Sequence, residues 1–434
     1  MHLNSSKKKQ PMINMESLEM VQNSVFGNQF AKPLYDTYCF SNIPSTVKKA
    51  LGVDFLQPLP EKILSGMPQK FEKVILFYLD AFGWKNMERH LEVHPFLRRF
   101  EREGTISKLT SQFPSTTAPH VVSIHSGLPV GESGIYEWFM YEPKVDSIIA
   151  PLLFNFAGSE ERHTLQKAGL EPRDFFPSSS LYDELKREAV SSYVYQSRDY
   201  TPSPVTEYAF RNSSVLGFTS FSEACVALSR DLKANHGPAY HFVYYDKIDS
   251  IGHQYGPDSE FYTSEVRNCL NILEEELLPR IGSQNGKTLI LITTDHGMSP
   301  TSPHNTFYLN LEVPDIVPMF ATSKNGKALV PAGGCRDFFL HIQPDKLENA
   351  IQILEEPLDG KAEIHKVSTL LEEGFFGNQI SDNLISRVGN LVILPYLGES
   401  VWWYEQGRFE QKMLGHHGGL TREEMEIPLL ALSL

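Results

Sequence analysis

Residues 288–297 constrain the fold of this chain more than any other segment. The first seven, TLILITT, form a continuous apolar and β-branched run of strand length, and Asp295, His296 and Gly297 follow directly. Such a run indicates a strand buried on both faces, as in a parallel sheet. In open α/β sheets, ligands bind just beyond the carboxyl ends of the strands. Gly297 permits a tight turn there, so Asp295 and His296 can both face a metal ion, although a capping Asp beside a surface His is the alternative.

Two other predicted strands also lead into possible metal ligands. Residues 74–79 end in Asp80, and residues 240–245 are followed by Asp249, with His253 four positions later. Predicted helices alternate with these strands, at residues 86–103, 221–233 and 265–278. This alternation predicts an α/β fold with a mostly parallel central sheet and helices on both faces.

The length of 434 residues allows a large core with further parts attached to it. Residues 1–70 are predicted to form a lead-in packed on the core. Residues 71–300 and 411–434 are predicted to form the metal-binding α/β core. Residues 301–410, between the two core segments, show a different succession of predicted strands with one helix. They are predicted to form a smaller α+β insertion, or cap.

Charge and cysteine content exclude several classes of function. The net charge of −14 argues against binding to a nucleic acid polymer or to an anionic membrane, because both need a basic surface. The four cysteines form no C-x-x-C pair, which makes a thiolate zinc site and a disulfide framework improbable. We see no signal peptide and no membrane-spanning run, so the expected location is cytoplasmic.

The predicted strand ends and loops together offer six ligands to metal ions. They are Asp80, Asp249, His253, Asp295, His296 and one histidine of the glycine-rich turn at residues 415–419. Carboxylates and imidazoles suit Zn²⁺ or Mn²⁺, and six ligands can hold two ions with positions left for substrate. Two such ions can stabilise the attacking and leaving oxygens of an in-line displacement. The loop with Thr116 and Thr117 would supply a hydroxyl nucleophile.

The motifs that carry these ligands resemble those of a known family. Y-L-D-A-F-G, F-P-S-T-T-A-P-H, Y-D-K-I-D-S-I-G-H-Q-Y-G-P, T-T-D-H-G-M and G-H-H-G-G occur in that order. The chain thereby resembles the alkaline phosphatase superfamily, in its nucleotide pyrophosphatase/phosphodiesterase branch. The resemblance covers residues 74–434, and D-x-x-G-H-x-x-G-P together with T-D-H-G-M is its most specific part.

The resemblance implies an alkaline phosphatase-like fold and an assignment of the ligands. One metal ion would be bound by Asp249, His253 and His417. The second would be bound by Asp80, Asp295, His296 and the hydroxyl of Thr117. The resemblance also implies that Thr117 is the nucleophile, that it forms a phosphothreonine, and that water then hydrolyses this intermediate.

Three positions leave alternatives open. His120 stands where diesterase relatives often carry an Asn that steadies a phosphoryl oxygen; it could donate a similar hydrogen bond or only cap the helix. The family spacing selects Thr117 over its neighbour Thr116, and His417 over its neighbour His416. Thr116 and His416 are the second choices.

The nucleophile loop favours diester or pyrophosphate substrates. Its T-A-P-H sequence is similar to the diesterase branch, and no motif marks the cationic clamp of a monoesterase, although Arg198 or Lys247 could serve. The expected substrate is a small phosphorylated molecule, with nucleotides among the candidates. A phosphonate hydrolase or phosphomonoesterase of the same superfamily is the alternative, and a metal protein that binds a phosphorylated ligand without turnover is a weaker one.

Overall fold

The computed structural model describes residues 13–434 apart from 28, 283 and 285. Within these residues, two sheets organise the chain. Their strands are β1 (Lys73–Leu79), β2 (Thr105–Thr110), β3 (Ser191–Ser197), β4 (Ser214–Phe218), β5 (Ala239–Tyr245), β6 (Thr288–Thr293), β7 (Ala332–Gly334), β8 (Asp337–Leu340), β9 (Ala362–Lys366), β10 (Leu391–Pro395) and β11 (Glu426–Ser433).

The longer helices connect and cover these strands. They are α1 (Met15–Asn23), α2 (Ile43–Leu51), α3 (Trp84–Leu91), α4 (Pro95–Glu103), α5 (Thr117–Ser126), α6 (Leu181–Arg187), α7 (Pro204–Ala209), α8 (Phe221–Ala234), α9 (Lys247–Tyr255), α10 (Glu260–Ile272), α11 (Leu347–Leu358), α12 (Val367–Glu372) and α13 (Asp382–Arg387). Among the described residues, no helix is long and apolar enough to cross a membrane.

The central sheet has seven strands in the order β2-β11-β6-β1-β5-β3-β4. The pairings from β6 through β1, β5 and β3 to β4 are all parallel, whereas β11 runs antiparallel to both of its neighbours. Every residue of β1 and β6 is buried, as the apolar runs predicted. The α/β class with a mostly parallel sheet is therefore confirmed.

Side chains of the central strands point alternately into two hydrophobic cores, one on each face of the sheet. In β1, Phe77 and Leu79 point to the core that contains α8 and α10, whereas Leu76 and Tyr78 point to the core that contains α2 and α6. Because side chains alternate along a strand, an all-apolar strand needs cover on both faces, and helices provide it here.

Two predicted helices differ from the observed ones. The predicted helix 86–103 is split into α3 and α4, and Pro95 occupies the first position of α4. Proline lacks an N–H donor and fits a first turn better than a helix interior. The predicted helix 265–278 starts earlier, at Glu260, where Ser259 caps it, and passes through a wider π turn at Leu273–Leu277 before Pro279.

The second sheet is antiparallel, has the order β7-β8-β10-β9, and falls inside residues 301–410. At the other end of the chain, the lead-in touches the core: the Asn14 N–H donates to the Ile106 carbonyl over 2.8 Å, and the Ala31 N–H donates to the Leu420 carbonyl over 2.8 Å. The division into lead-in, core and insertion stays a prediction.

Candidate metal centre

One cluster of possible ligands forms where β1 and β6 end side by side. Asp80 follows β1, and Asp295 with His296 follows β6. The His296 Nε2 lies 3.2 Å from the Asp295 Oδ2 and 3.5 Å from the Asp80 Oδ1. The Thr117 Oγ1, on the first residue of α5, lies 3.3 Å from the same Nε2. The parallel register brings Asp80, Asp295 and His296 together, and α5 adds Thr117. These are the four residues that the resemblance assigned to one metal ion.

A second cluster forms between α9 and the turn at residues 415–419. Asp249 and His253 are one helical turn apart on α9, with 3.3 Å between the Asp249 Oδ2 and the His253 Nε2. The His417 Nε2 lies 3.2 Å from the His253 Nε2 and 3.6 Å from the Asp249 Oδ1. These are the three residues that the sequence assigned to the other ion.

The two clusters are in direct contact through their histidines. The rings of His296 and His417 stack with 3.6 Å between their centres. Ligand atoms of Asp249, His296 and His417 lie within 4.8 Å of one another, and so do those of Asp80, Asp295 and His296. The six side chains therefore line one continuous centre, in which Asp249 and His253 are partly buried and the other four are buried.

Several ligand atoms of this centre are buried without a hydrogen bond. They are three carboxylate oxygens: the Asp80 Oδ1, the Asp249 Oδ1 and the Asp295 Oδ2. Buried polar atoms in folded proteins are nearly always satisfied, so such a group points to a missing partner. Carboxylate oxygens and imidazole nitrogens in this arrangement fit divalent metal ions such as Zn²⁺ or Mn²⁺.

The pKa values of the carboxyl groups also support a site for divalent metal ions. Burial, and then the charges of Asp295 and Asp249, raise the pKa of the Asp80 carboxyl well above its usual range. Burial also raises the pKa of Asp249. Ionisation of Asp80 and Asp249 is therefore disfavoured in this space, and bound cations would stabilise both as anions.

The pKa values of two histidines of the centre, His417 and His296, shift in opposite directions. Burial, followed by the neighbouring imidazoles His296 and His253, lowers the pKa of His417 well below its usual value, which keeps the ring neutral as a ligand must be. Burial opposes the charge on His296, but the adjacent Asp295 raises its pKa overall. A metal ion beside Asp295 would take the place of that proton.

Contacts around the ligands fix their orientation. The His253 Nδ1 faces the Gly415 carbonyl at 2.8 Å, and the His296 Nδ1 faces the Gly297 carbonyl at 2.8 Å. In both rings this leaves Nε2 for the centre, which is the usual arrangement of metal-binding histidines. The Tyr244 hydroxyl donates a hydrogen bond to the Asp80 Oδ2.

The choice between neighbouring residues follows the predicted spacing. Thr117 lines the cavity beside the centre, whereas Thr116 is extended and its side chain bonds to the buried Glu137. His417 contacts the other ligands, whereas the His416 Nδ1 stays with the backbone of His417. The roles of Thr117 and His417 remain proposals, but the structure places both in the centre.

His120 does not reach the centre in the way that a phosphoryl-binding residue should. Its Nδ1 lies 2.6 Å from the Thr116 carbonyl, and its Nε2 accepts the Gln112 N–H over 3.0 Å and faces the Ser111 hydroxyl at 2.8 Å. Burial lowers its pKa to about 4, so the ring is neutral and has no N–H left for a substrate. In this geometry the ring of His120 fixes the loop before α5, and its role at a phosphoryl oxygen stays a prediction.

A cavity of about 150 Å³ opens beside the ligands. The lining residues come from α5, α9, the ends of β1, β3 and β5, and the segment that precedes α6. They are Asp80, Thr117, Val121, His125, Trp138, Leu152, Leu153, Gln196, Tyr200, Phe242, Tyr244, Asp246, Asp249 and Ser250. We did not single out Tyr244 or Gln196 from the sequence. The alternation within Tyr-His-Phe-Val-Tyr-Tyr places Tyr244 on the same face as Phe242, which was the available signal.

The two candidate cations for a monoester clamp are already paired with acidic side chains. Arg198 bonds to Glu223 over 3.2 Å and to the Gly217 carbonyl over 2.7 Å. Lys247 pairs with Asp246 over 3.1 Å. Among the described residues that line the cavity, none is a lysine or an arginine.

Comparison with known proteins finds sequences and structures similar to this chain. A family model described as "Type I phosphodiesterase / nucleotide pyrophosphatase" matches residues 74–420. Ectonucleotide pyrophosphatase/phosphodiesterase family member 1 of Mus musculus is 25% identical over 309 residues, which are 64% of this chain and 32% of that protein. A protein of Schizosaccharomyces pombe named as an uncharacterized pyrophosphatase/phosphodiesterase is 23% identical over 244 residues, 55% of this chain and 47% of its own length. The chain thus spans about a third of the mouse relative.

Two solved structures share the fold. Murine ectonucleotide pyrophosphatase/phosphodiesterase 5 superposes with a TM-score of 0.61 at 17% identity, over 83% of this chain and 88% of the other. Phosphonoacetate hydrolase from Sinorhizobium meliloti superposes with a TM-score of 0.56 at 15% identity, over 85% and 92%. At these identities the comparison establishes the fold alone.

Proposed function

Because the chain belongs to the type I phosphodiesterase/nucleotide pyrophosphatase family, we propose that it hydrolyses phosphodiester or phosphoric anhydride bonds with two divalent metal ions bound. The observation that carries this proposal is the buried centre in which two ligand groups meet beside the hydroxyl of Thr117. A protein that only binds a phosphorylated ligand would not need a nucleophile in that place.

The ligand groups suggest how the ions are divided. Asp249, His253 and His417 would hold one ion, and Asp80, Asp295, His296 and the Thr117 hydroxyl would hold the other. When bound, the ions supply positive charge that stabilises the reacting oxygens and lowers the pKa of a coordinated hydroxyl. The nitrogen and oxygen donors favour Zn²⁺ or Mn²⁺.

Thr117 is the proposed nucleophile. Its Oγ1 forms a bond to phosphorus while the bond between phosphorus and the leaving oxygen breaks, which gives a phosphothreonine. Water then attacks the same phosphorus and releases Thr117. As the first residue of α5, Thr117 lies where backbone N–H groups can donate to the phosphoryl oxygens.

The proposed substrate is a small phosphorylated molecule, with nucleotides as the leading candidates. A solved structure of murine ectonucleotide pyrophosphatase/phosphodiesterase 5, an inactive form, holds AMP, and it superposes on this chain with a TM-score of 0.60. The net charge of −14 supports a small substrate over a nucleic acid polymer or a membrane. The cytoplasmic location remains part of the proposal and is supported by four buried cysteines, all of them free thiols.

We expect the protein to prefer diesters over monoesters. A monoester dianion carries one more negative charge and gains most from a cationic clamp, and no such side chain lines the cavity. With Zn²⁺ or Mn²⁺ added, kcat/KM for a p-nitrophenyl phosphodiester should exceed that for p-nitrophenyl phosphate by about tenfold or more.

The same panel should include p-nitrophenyl phenylphosphonate, since a phosphonate hydrolase would use the same ligands. As a matched control for the clamp, Lys247→Met should leave the ratio of diester to monoester rates unchanged. A clear preference for the monoester that disappears in this variant would show that Lys247 leaves Asp246 to bind substrate, and would overturn the preference for diesters.

A further inference from the structure

Gln196 is a buried polar residue of the cavity for which the proposed reaction has no use. Its side chain is 5% exposed, and its Nε2 is buried without a hydrogen-bond partner. It lines the same cavity as Asp80 and Thr117. Turning the Gln196 amide by 180° would exchange its oxygen and nitrogen. The atom at that buried position would still have no hydrogen-bond partner.

Strand order gives the position of Gln196 relative to the metal centre. Asp80 follows β1, Tyr244 lies near the end of β5 and Gln196 near the end of β3, and these three strands are neighbours. Tyr195 pairs with Val243, so Gln196 lies next to Tyr244. Strands are about 4.8 Å apart, so Gln196 lies two strand spacings, about 10 Å, across the sheet from the strand that leads into Asp80, and Tyr244 lies on the strand between them.

The rest of this part of the cavity is apolar or internally paired. Val121, Leu152 and Phe242 supply apolar walls. The Asp246 carboxylate accepts hydrogen bonds from the Tyr200 hydroxyl over 2.7 Å and from Lys247 over 3.1 Å. A second anionic group on the substrate would meet the charge of Asp246, whereas an uncharged group would not.

We propose that Gln196 determines specificity by pairing with an uncharged hydrogen-bonding edge on the organic part of the substrate. A primary amide offers a donor and an acceptor side by side, so it is complementary to an edge that carries an acceptor next to a donor, as in an amide or a pyrimidine ring. The proposal rests on the function proposed above, since it assumes that the phosphorus atom lies beside Thr117.

Three p-nitrophenyl phosphodiesters test this with the unmodified protein. Their second ester group is methyl, thymidine 5′-yl or N3-methylthymidine 5′-yl, and only the second of these has a free donor–acceptor edge. We expect kcat/KM for the thymidine ester to exceed that for its N3-methyl analogue by about 10- to 100-fold, the effect of one or two hydrogen bonds to a buried group. Equal values for the two would overturn the proposal.

Variants then assign the discrimination to Gln196. Gln196→Leu should remove the difference in kcat/KM between the two thymidine esters, with the methyl ester assayed alongside as the reference. The exposed Gln166 offers a matched control, and Gln166→Leu should keep the full difference. If Gln196→Leu still discriminates, or lowers all three rates equally, Gln196 does not select the substrate. Failure of the unmodified protein to hydrolyse even the methyl ester with metal present would instead contradict the proposed function.

Discussion

Thr117→Ala should reduce kcat for a phosphodiester by about 10³-fold or more. The substitution removes the oxygen that is proposed to attack phosphorus, and residues that act as one catalytic unit typically cost several orders of magnitude when removed. Six other protein ligands remain, so the variant should still bind metal. The measurement is steady-state hydrolysis of a p-nitrophenyl phosphodiester, together with the metal content of the same preparation.

Two companion variants test the position of the nucleophile. Thr117→Ser keeps the oxygen and should keep a substantial part of the activity. Thr116→Ala should be milder than Thr117→Ala, because the Thr116 side chain is buried against Glu137 and not among the ligands. If Thr116→Ala is inactive and Thr117→Ala is active, with both variants fully metallated, the nucleophile is Thr116 and not Thr117.

Removal of metal should abolish activity, and Zn²⁺ or Mn²⁺ should restore it. The physical reason is that carboxylate oxygens of Asp80, Asp249 and Asp295 are buried without a hydrogen-bond partner, and a bound cation supplies the missing partner. The measurement is activity after dialysis against a chelator and after stepwise return of each ion, with elemental analysis at each step.

The same experiment has a matched set of variants. Asp80→Asn and Asp249→Asn should each reduce the bound metal from two ions per chain towards one, because each belongs to a different ligand group. Asp246→Asn is the control: it is a buried carboxylate nearby that is already paired with Tyr200 and Lys247, so it should keep both ions. Full activity without any transition metal would rule out the two-ion account.

The parts of the fold that follow from local pattern could be predicted from the sequence. The apolar runs of β1 and β6 need burial on both faces, and both strands are fully buried in a parallel sheet. Because the carboxyl ends of parallel strands lie at one edge, Asp80 and Asp295 could be expected to meet. The spacing of Asp249 and His253 by one helical turn likewise placed them on one face of α9.

Features that depend on tertiary contacts could not be predicted in this way. Whether His120 faces substrate or loop depends on which carbonyl and N–H groups surround it, and these come from Ser111, Gln112 and Thr116. Gln196 shows the same limit, since its missing partner becomes visible only when β3 is placed beside β5.

The stereochemical course at phosphorus tests the central claim, covalent catalysis by Thr117, most directly. In a phosphodiester with one non-bridging oxygen replaced by sulfur, the phosphorus atom is chiral. One isomer is hydrolysed in water labelled with an oxygen isotope, and the configuration at phosphorus in the product is determined. Attack by Thr117 followed by attack of water inverts the configuration twice, so we predict overall retention. Overall inversion would mean that water attacks the substrate in a single step, and would contradict a phosphothreonine at Thr117.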